Sequence, residues 1–315
     1  MTHLGFKVDA RPAEDVTALS RMVEANGFDQ LWFCEDLGLA GGVAQVAAAL
    51  AVTNRVEVGL GIAPAAVRNP MYLAMEFASL ARLSGNRFHA GIGHGMPRWL
   101  HQVGQHPGSL MTCLAEVSET VRDLLAGRSV SFDGDHVHLD AASLEHPPRT
   151  APPLSLGVRG PKGVELAREL GLGVILAEGS SPDYVERVRA ALGQDLPITV
   201  FTWCSLDVGD AAAGYDAIWP TVEAALRKPY LAHQLGDRFA HVSPRDAVAS
   251  LSVSGDVTSC LESVDRLRAS GADHVVLQPV RGREEDQIGQ FGTHVLPQLM
   301  ARPTTSVAPR EVSRR

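Results

Sequence analysis

The sequence predicts an α/β fold, a (β/α)8 TIM barrel with insertions at its C-terminal face, on three observations. Eight short β-type runs alternate with helical patterns along most of the chain. Its 315 residues exceed the usual size of a single hydrophobic core, a limit that barrels escape. A doubly wound sheet typically uses fewer parallel strands before reversing direction, so eight strand–helix units favour closure.

The units follow in order. His3 to Val8 leads into a helix over Ala13 to Asn26, Gln30 to Cys34 into Gly42 to Val52, and Val56 to Gly61 into Pro70 to Leu83. Gly85 and Asn86 suit the left-handed conformation that closes a helix, and Arg87 to Ile92 is a short apolar run fit for a buried parallel strand. A helix within Leu110 to Leu125 follows. Leu154 to Gly157 then pairs with Gly163 to Leu170, Gly173 to Ala177 with Pro182 to Leu192, and Ile198 to Leu206 stands as the seventh strand. Ala272 to Gln278 and a helix around Glu284 to Met300 close the pattern. Two insertions interrupt it. Ser129 to Leu139 reads as a β-hairpin about the two-residue turn Asp133-Gly134, and Gly209 to Arg238 as extra helix near a strand end. One barrel domain over 1–301 and a tail over 302–315, rich in Pro, Ser, Thr and Arg, are expected.

Composition narrows the function. A net charge of −8, from 28 Lys plus Arg against 36 Asp plus Glu, gives no footprint for nucleic acid. The longest apolar stretch, near Val43 to Val52, is too short to span a bilayer, and Met1 to Phe6 lacks the pattern of a secretion signal. Cys34, Cys113, Cys204 and Cys260 have neither zinc-site spacing nor a disulfide framework, which fits a reducing compartment. A cytoplasmic protein acting on a small molecule is expected, with no nucleic-acid or membrane partner.

Three loops converge at the carboxyl end of such a barrel: Gly59 to Pro64 through Arg68-Asn69-Pro70, Gly91 to Gly95, and Leu156 to Gly163. Gly93 and Gly95 let backbone approach another group closely. In the third loop a helix begins near Pro161, where free N–H groups can hold a phosphate, with Arg159 or Lys162 adding positive charge. A solvated helix start with surface cations is the plainer reading of that loop.

Together these stretches resemble the luciferase-like monooxygenase superfamily, in particular its coenzyme F420-dependent branch, which includes methylenetetrahydromethanopterin reductase. The resemblance runs over roughly Gly5 to Met300 and is most specific at Val58-Gly59-Leu60-Gly61-Ile62 with Arg68-Asn69-Pro70, Leu83 to Gly95, Leu156 to Lys162, and Phe201 to Asp207. It implies a barrel that holds a deazaflavin ring at the strand ends, with the ring against Gly61, Ile62 and Ala63 and a cis peptide between Gly61 and Ile62. It also places the phosphate tail near Gly160, Pro161, Lys162 and Gly163. By charge, Arg159 and Lys162, with Arg68 or Arg98, are the cations suited to the long acidic tail of the deazaflavin, and the close backbone approach at Gly93 and Gly95 is expected to serve the cofactor. A homodimer through the helices near Gly42 to Val52 and Met71 to Leu83 fits both the resemblance and their apolar runs.

The catalytic positions depart from the reductase pattern. Where the reductases carry an Asp-His pair after the second strand, this chain has Glu35-Asp36; Lys7 stands where they have Glu, and Met96 where they have an acid after the glycine loop. Glu35 and Asp36 remain candidates, because adjacent carboxylates at a strand end can have separated proton affinities; Glu35 is expected to be the main acid, with Lys7 and His94 as its closest electrostatic partners. Lys7 is expected to face the barrel mouth and pair with Glu35 or polarise a substrate, and His94 to donate a hydrogen bond or proton. A helix-capping or salt-bridging role for Asp36 and Glu35, Lys7 as a snorkelling lysine and His94 as a loop histidine contacting phosphate are the plainer alternatives. His101, His106, His136 and His138 read as surface or hairpin residues, with no metal site, and Trp203 and Cys204 as packing. The expected function is F420-dependent hydride transfer to or from a small organic substrate of the C=C, C=N or C–OH/C=O type. An FMN-dependent monooxygenase and a non-catalytic flavin-binding protein are the alternatives.

Overall fold

The computed structural model describes residues 3–8, 10–235 and 242–301. The expected tail and the last residues of the second insertion lie outside them. Eleven strands are present among the described residues: β1 (His3–Lys7), β2 (Gln30–Phe33), β3 (Glu57–Pro64), β4 (Phe88–Gly93), β5 (Val130–Asp133), β6 (His138–Ala142), β7 (Leu154–Val158), β8 (Gly173–Leu176), β9 (Ile198–Leu206), β10 (Ser252–Gly255) and β11 (His274–Pro279). Strands β1, β2, β3, β4, β7, β8, β9 and β11 pair in parallel in that circular order, and β11 returns to β1, closing an eight-stranded barrel. These are the eight runs the sequence predicts.

Local signals set the helices. Asn69 accepts the Met71 N–H at 2.9 Å and Pro70 opens the helix Pro70–Leu83, which ends at Gly85 (φ 63°) and Asn86 (φ 70°). Ser109 and Ser181 cap Leu110–Leu125 and Pro182–Leu192 in the same way. The helices bury their apolar faces on the outside of the barrel, and a separate cluster of Trp32, Ile175, Phe201 and Val276 fills its interior.

The helix after β7 starts at Pro161, as the proline of the third loop predicts, two residues ahead of the helical run counted from Gly163. Three expectations need correction. The helix expected from Glu284 to Met300 is interrupted by a π-turn over Phe291–Val295. The hairpin closes through four residues, 134–137, not two: Asp133 pairs with His138, and the Glu116 carboxylate reaches out from its helix to accept the N–H groups of Asp135, His136 and Val137 at 2.8 to 2.9 Å. Burial pushes the Glu116 carboxyl up, and these three donors bring it below its usual range. Finally, the insertion after β9 is larger than expected. Beyond Ala211–Leu226 and Pro229–Leu235 it adds the helix Pro244–Leu251 and strand β10, which pairs with Trp203–Leu206 of β9, before the helix Val257–Ala269. Trp203 packs there with Ile218, Val222 and Leu231, and Cys204 is fully buried, as packing residues.

Candidate active site

Strand β3 is bulged at the barrel mouth. Its register with β4 shifts between Leu60 and Ala63, and the Gly61–Ile62 peptide is cis, as expected. The Ile62 side chain lies over glycines of the neighbouring strands: a Cβ would stand 2.8 Å from Ile62 Cγ1 at Gly93 and 2.6 Å from Ile62 Cγ2 at Gly157. What Gly93 admits is therefore this side chain. Cys34 Sγ donates to the Gly61 carbonyl at 2.7 Å, tying the bulge to the end of β2. Gly95, with φ 73°, turns the chain out of β4 beside Pro64.

Lys7, at the end of β1, is almost wholly buried and projects inward above the Phe201 ring. Its ammonium donates to Glu178 Oε1 at 2.8 Å and to Gln278 Oε1 at 2.9 Å. The expected Lys7–Glu35 pair is thus replaced: Glu178, just past β8, lies nearer across the mouth. Burial pushes the Glu178 carboxyl up, and the charge and hydrogen bond of Lys7 overcome that and hold it below the usual carboxylate range. Sequence reasoning missed both Glu178 and Gln278.

Glu35 is gripped instead by Arg68, whose two terminal nitrogens each reach a carboxylate oxygen at 2.6 Å, with Glu76 on Nε at 3.1 Å. Arg68 is therefore committed to carboxylates and not to an incoming phosphate. His94 Nδ1 lies 2.5 Å from the Gly95 carbonyl, within its own loop, whereas the partner of Glu35 is Arg68. Glu35, Asp36 and Arg68 lie at one side of a cleft of about 220 Å³, walled by Leu37, Leu39, Val67, Met96, Trp99 and Val103.

Register carries the mouth around to the third loop. Pro64 pairs with Gly93 and Gly93 with Gly157, three residues before Gly160. Gly160 starts the helix Pro161–Leu170 in extended conformation, with no side-chain cap and no acid in the first turn. A Cβ at Gly160 would meet nothing within 4 Å, and Lys162 is exposed beside it. An open, positively polarised helix start in line with a bulged strand suits a ring-bearing cofactor with a phosphate tail. Arg159 is turned from that start: its guanidinium donates to Gln234 at 3.1 Å and to the Glu178 carbonyl.

At the opposite end of the barrel, Gln30 donates to Glu57 at 3.0 Å and meets His274 Nδ1 at 3.1 Å, while His89 meets Glu57 at 2.9 Å. The hydrogen bond from His89 brings the Glu57 carboxyl down to about 2, and burial pushes His274 down to about 4, with His89 and His3 adding to it. His101 and His106 stack face to face at 3.8 Å near the surface, and no cluster suited to a metal ion exists among the described residues. Nor is any described helix long and apolar enough to cross a membrane.

The chain is similar in sequence and fold to known proteins. A 5,10-methylenetetrahydromethanopterin reductase of Methanolobus tindarius is 26% identical over 182 residues, a match spanning 58% of this chain and 56% of that enzyme. An F420-dependent glucose-6-phosphate dehydrogenase of Nakamurella multipartita is 24% identical, with 94% of this chain and 96% of that enzyme covered. The solved structure of the coenzyme F420-dependent tetrahydromethanopterin reductase from Methanopyrus kandleri superimposes with a TM-score of 0.80 at 20% identity, covering 94% of this chain and 99% of that one, so the barrel fold is shared. The family model described as luciferase-like monooxygenase matches residues 2–274, and the chain belongs to that family.

Proposed function

We propose that the protein is a coenzyme F420-dependent oxidoreductase that moves a hydride between the deazaflavin and a small organic substrate of the C=C, C=N or C–OH/C=O type. The observation that carries this reading is the alignment of the bulged β3, the glycine layer of Gly93 and Gly157, and the uncapped helix start at Gly160 along one side of the mouth. The F420-dependent relatives support it. When bound, the deazaflavin supplies two-electron hydride chemistry.

The chain's own residues do the rest. Gly61, Ile62 and Ala63 back the ring, and the N–H groups near Gly160 to Gly163 receive the phosphate, with Lys162 at their edge. Glu35 and Arg68 form a mutually satisfied clamp that fixes the loop after β2. Asp36, at the cleft wall beside that clamp, holds or delivers the proton that balances the hydride. Lys7, Glu178 and Gln278 set a rigid polar floor.

An FMN-dependent monooxygenase is the second reading, favoured by one observation: the same helix start suits the single phosphate of FMN equally well. Titration of the full chain with each cofactor separately, followed by absorbance and fluorescence, decides between them. Tight F420 binding that weakens about tenfold in Lys162→Ala is expected. Binding of FMN with no binding of F420 overturns the deazaflavin reading, and binding of neither removes both.

A further inference from the structure

The cleft beside the Glu35–Arg68 clamp differs in character from the rest of the surface. Ten large hydrophobic side chains are well exposed among the described residues, and five of them, Leu37, Leu39, Val67, Met96 and Val103, line this one cleft. Scattered exposed apolar residues need no explanation, but half of them gathered in a single concavity mark a binding surface. Trp99 and Leu100 add to its wall, and Pro64, at the end of the bulged strand, joins it to the mouth.

Charge narrows the occupant. Among the described residues that line the cleft, Glu35, Asp36 and Arg68 alone are charged, and Arg68 is engaged by both oxygens of Glu35 and by Glu76. The described lining thus offers no uncommitted cation for an anionic substrate, and the Asp36 carboxyl stands at its wall. A phosphorylated or carboxylated substrate would lose its hydration there with no compensating partner among these residues. We infer that this cleft is the substrate subsite and that it takes a neutral, predominantly apolar molecule whose one polar, reacting end is turned toward Asp36. The inference rests on the proposal that this mouth is the active site, and it departs from what a glucose-6-phosphate dehydrogenase must bind.

The cleft can be read without cofactor or turnover. The full chain is titrated with N-phenyl-1-naphthylamine, a neutral fluorescent probe, and the bound probe is displaced by n-alkanols from butanol to octanol, by octanoate and by glucose 6-phosphate. Expected are one probe per chain and displacement by alkanols that tightens about fourfold with each added methylene. Octanoate should be at least tenfold weaker than octanol, and glucose 6-phosphate inert. Leu39→Asp and Met96→Asp, both at solvent-reachable positions, should each weaken the probe at least tenfold with unchanged sedimentation. Displacement by glucose 6-phosphate, octanoate as strong as octanol, or no dependence on alkanol length overturns the inference. So does a change of oligomeric state in the two variants with probe binding retained, which would make the cleft a seam between two copies of the chain. Because the F420 titration is separate, a chain that binds F420 but no probe fails this inference alone, and one that binds the probe but no F420 fails the cofactor reading alone.

Discussion

Arg68 and Glu35 meet through two parallel hydrogen bonds of 2.6 Å, a fork-to-fork pairing that joins the end of β2 to the segment after β3. Both charges are largely withdrawn from water, so each depends on the other.

Removing one partner should therefore cost more than removing both. Arg68→Met is expected to lower stability by about 1–3 kcal/mol in urea unfolding, and Glu35→Gln added to it should restore part of the loss. In turnover, Asp36→Asn should fall by about a hundredfold, the scale of general acid–base catalysis, whereas Glu35→Gln should fall by less than tenfold. The reverse order of losses would assign the proton to Glu35.

Lys7 presents the same logic in a drier place. Lys7→Met strands the Glu178 carboxylate in the barrel mouth and should cost about 3–5 kcal/mol, with much of that recovered in the Lys7→Met, Glu178→Gln double variant. A thermal-unfolding cycle measures the coupling, and additive losses would show that the pair contributes nothing specific.

The histidine and carboxylate network at the far end of the barrel sets an acid limit. His274, near 4 when folded and 6.5 when free, takes up its proton more readily in the unfolded chain, so stability declines as pH falls from about 6.5 to 4. Glu57, near 2 when folded against 4.5 when free, adds a loss of the same sign below about 4.5. Its partial exposure screens its share, and the two together are worth on the order of 1–3 kcal/mol. Urea midpoints from pH 7 to 4 should show the decline, and His274→Gln should flatten its upper part.

Self-association is expected through the helices Gly42–Val52 and Pro70–Leu83. The second leaves Tyr72 at 66% and Met75 at 46% exposure on its outer face. Sedimentation at micromolar concentration should give a dimer that Tyr72→Asp dissociates; a monomeric parent chain removes this prediction.

All eight barrel strands were legible in the sequence because buried parallel strands are continuous apolar runs. Strand β10 was not. Ser252-Val253-Ser254-Gly255 has the composition of a turn, and it is strand only because β9 offers its far half and the Ser252 hydroxyl is satisfied by the Val248 carbonyl at 2.7 Å. The same limit applied at the site. Glycine loops, the helix start and the carboxylates after β2 announce themselves locally, but Glu178 reads as an ordinary loop acid until the barrel brings it 171 positions back to Lys7. Glu35 found Arg68 rather than Lys7 because pairing across a mouth depends on reach, which spacing along the chain does not encode.

The seat of Ile62 constrains how this chain can change over generations. Gly157 leaves 2.6 Å between a notional Cβ and Ile62, and Gly93 leaves 2.8 Å, so the three positions share one small volume. An alanine at either glycine is blocked while isoleucine is present and becomes passable once residue 62 has shrunk. Order of substitution, and not only its end point, then decides which descendants are reachable. A library that randomises the three codons together should return survivors that a one-at-a-time walk from this sequence never meets.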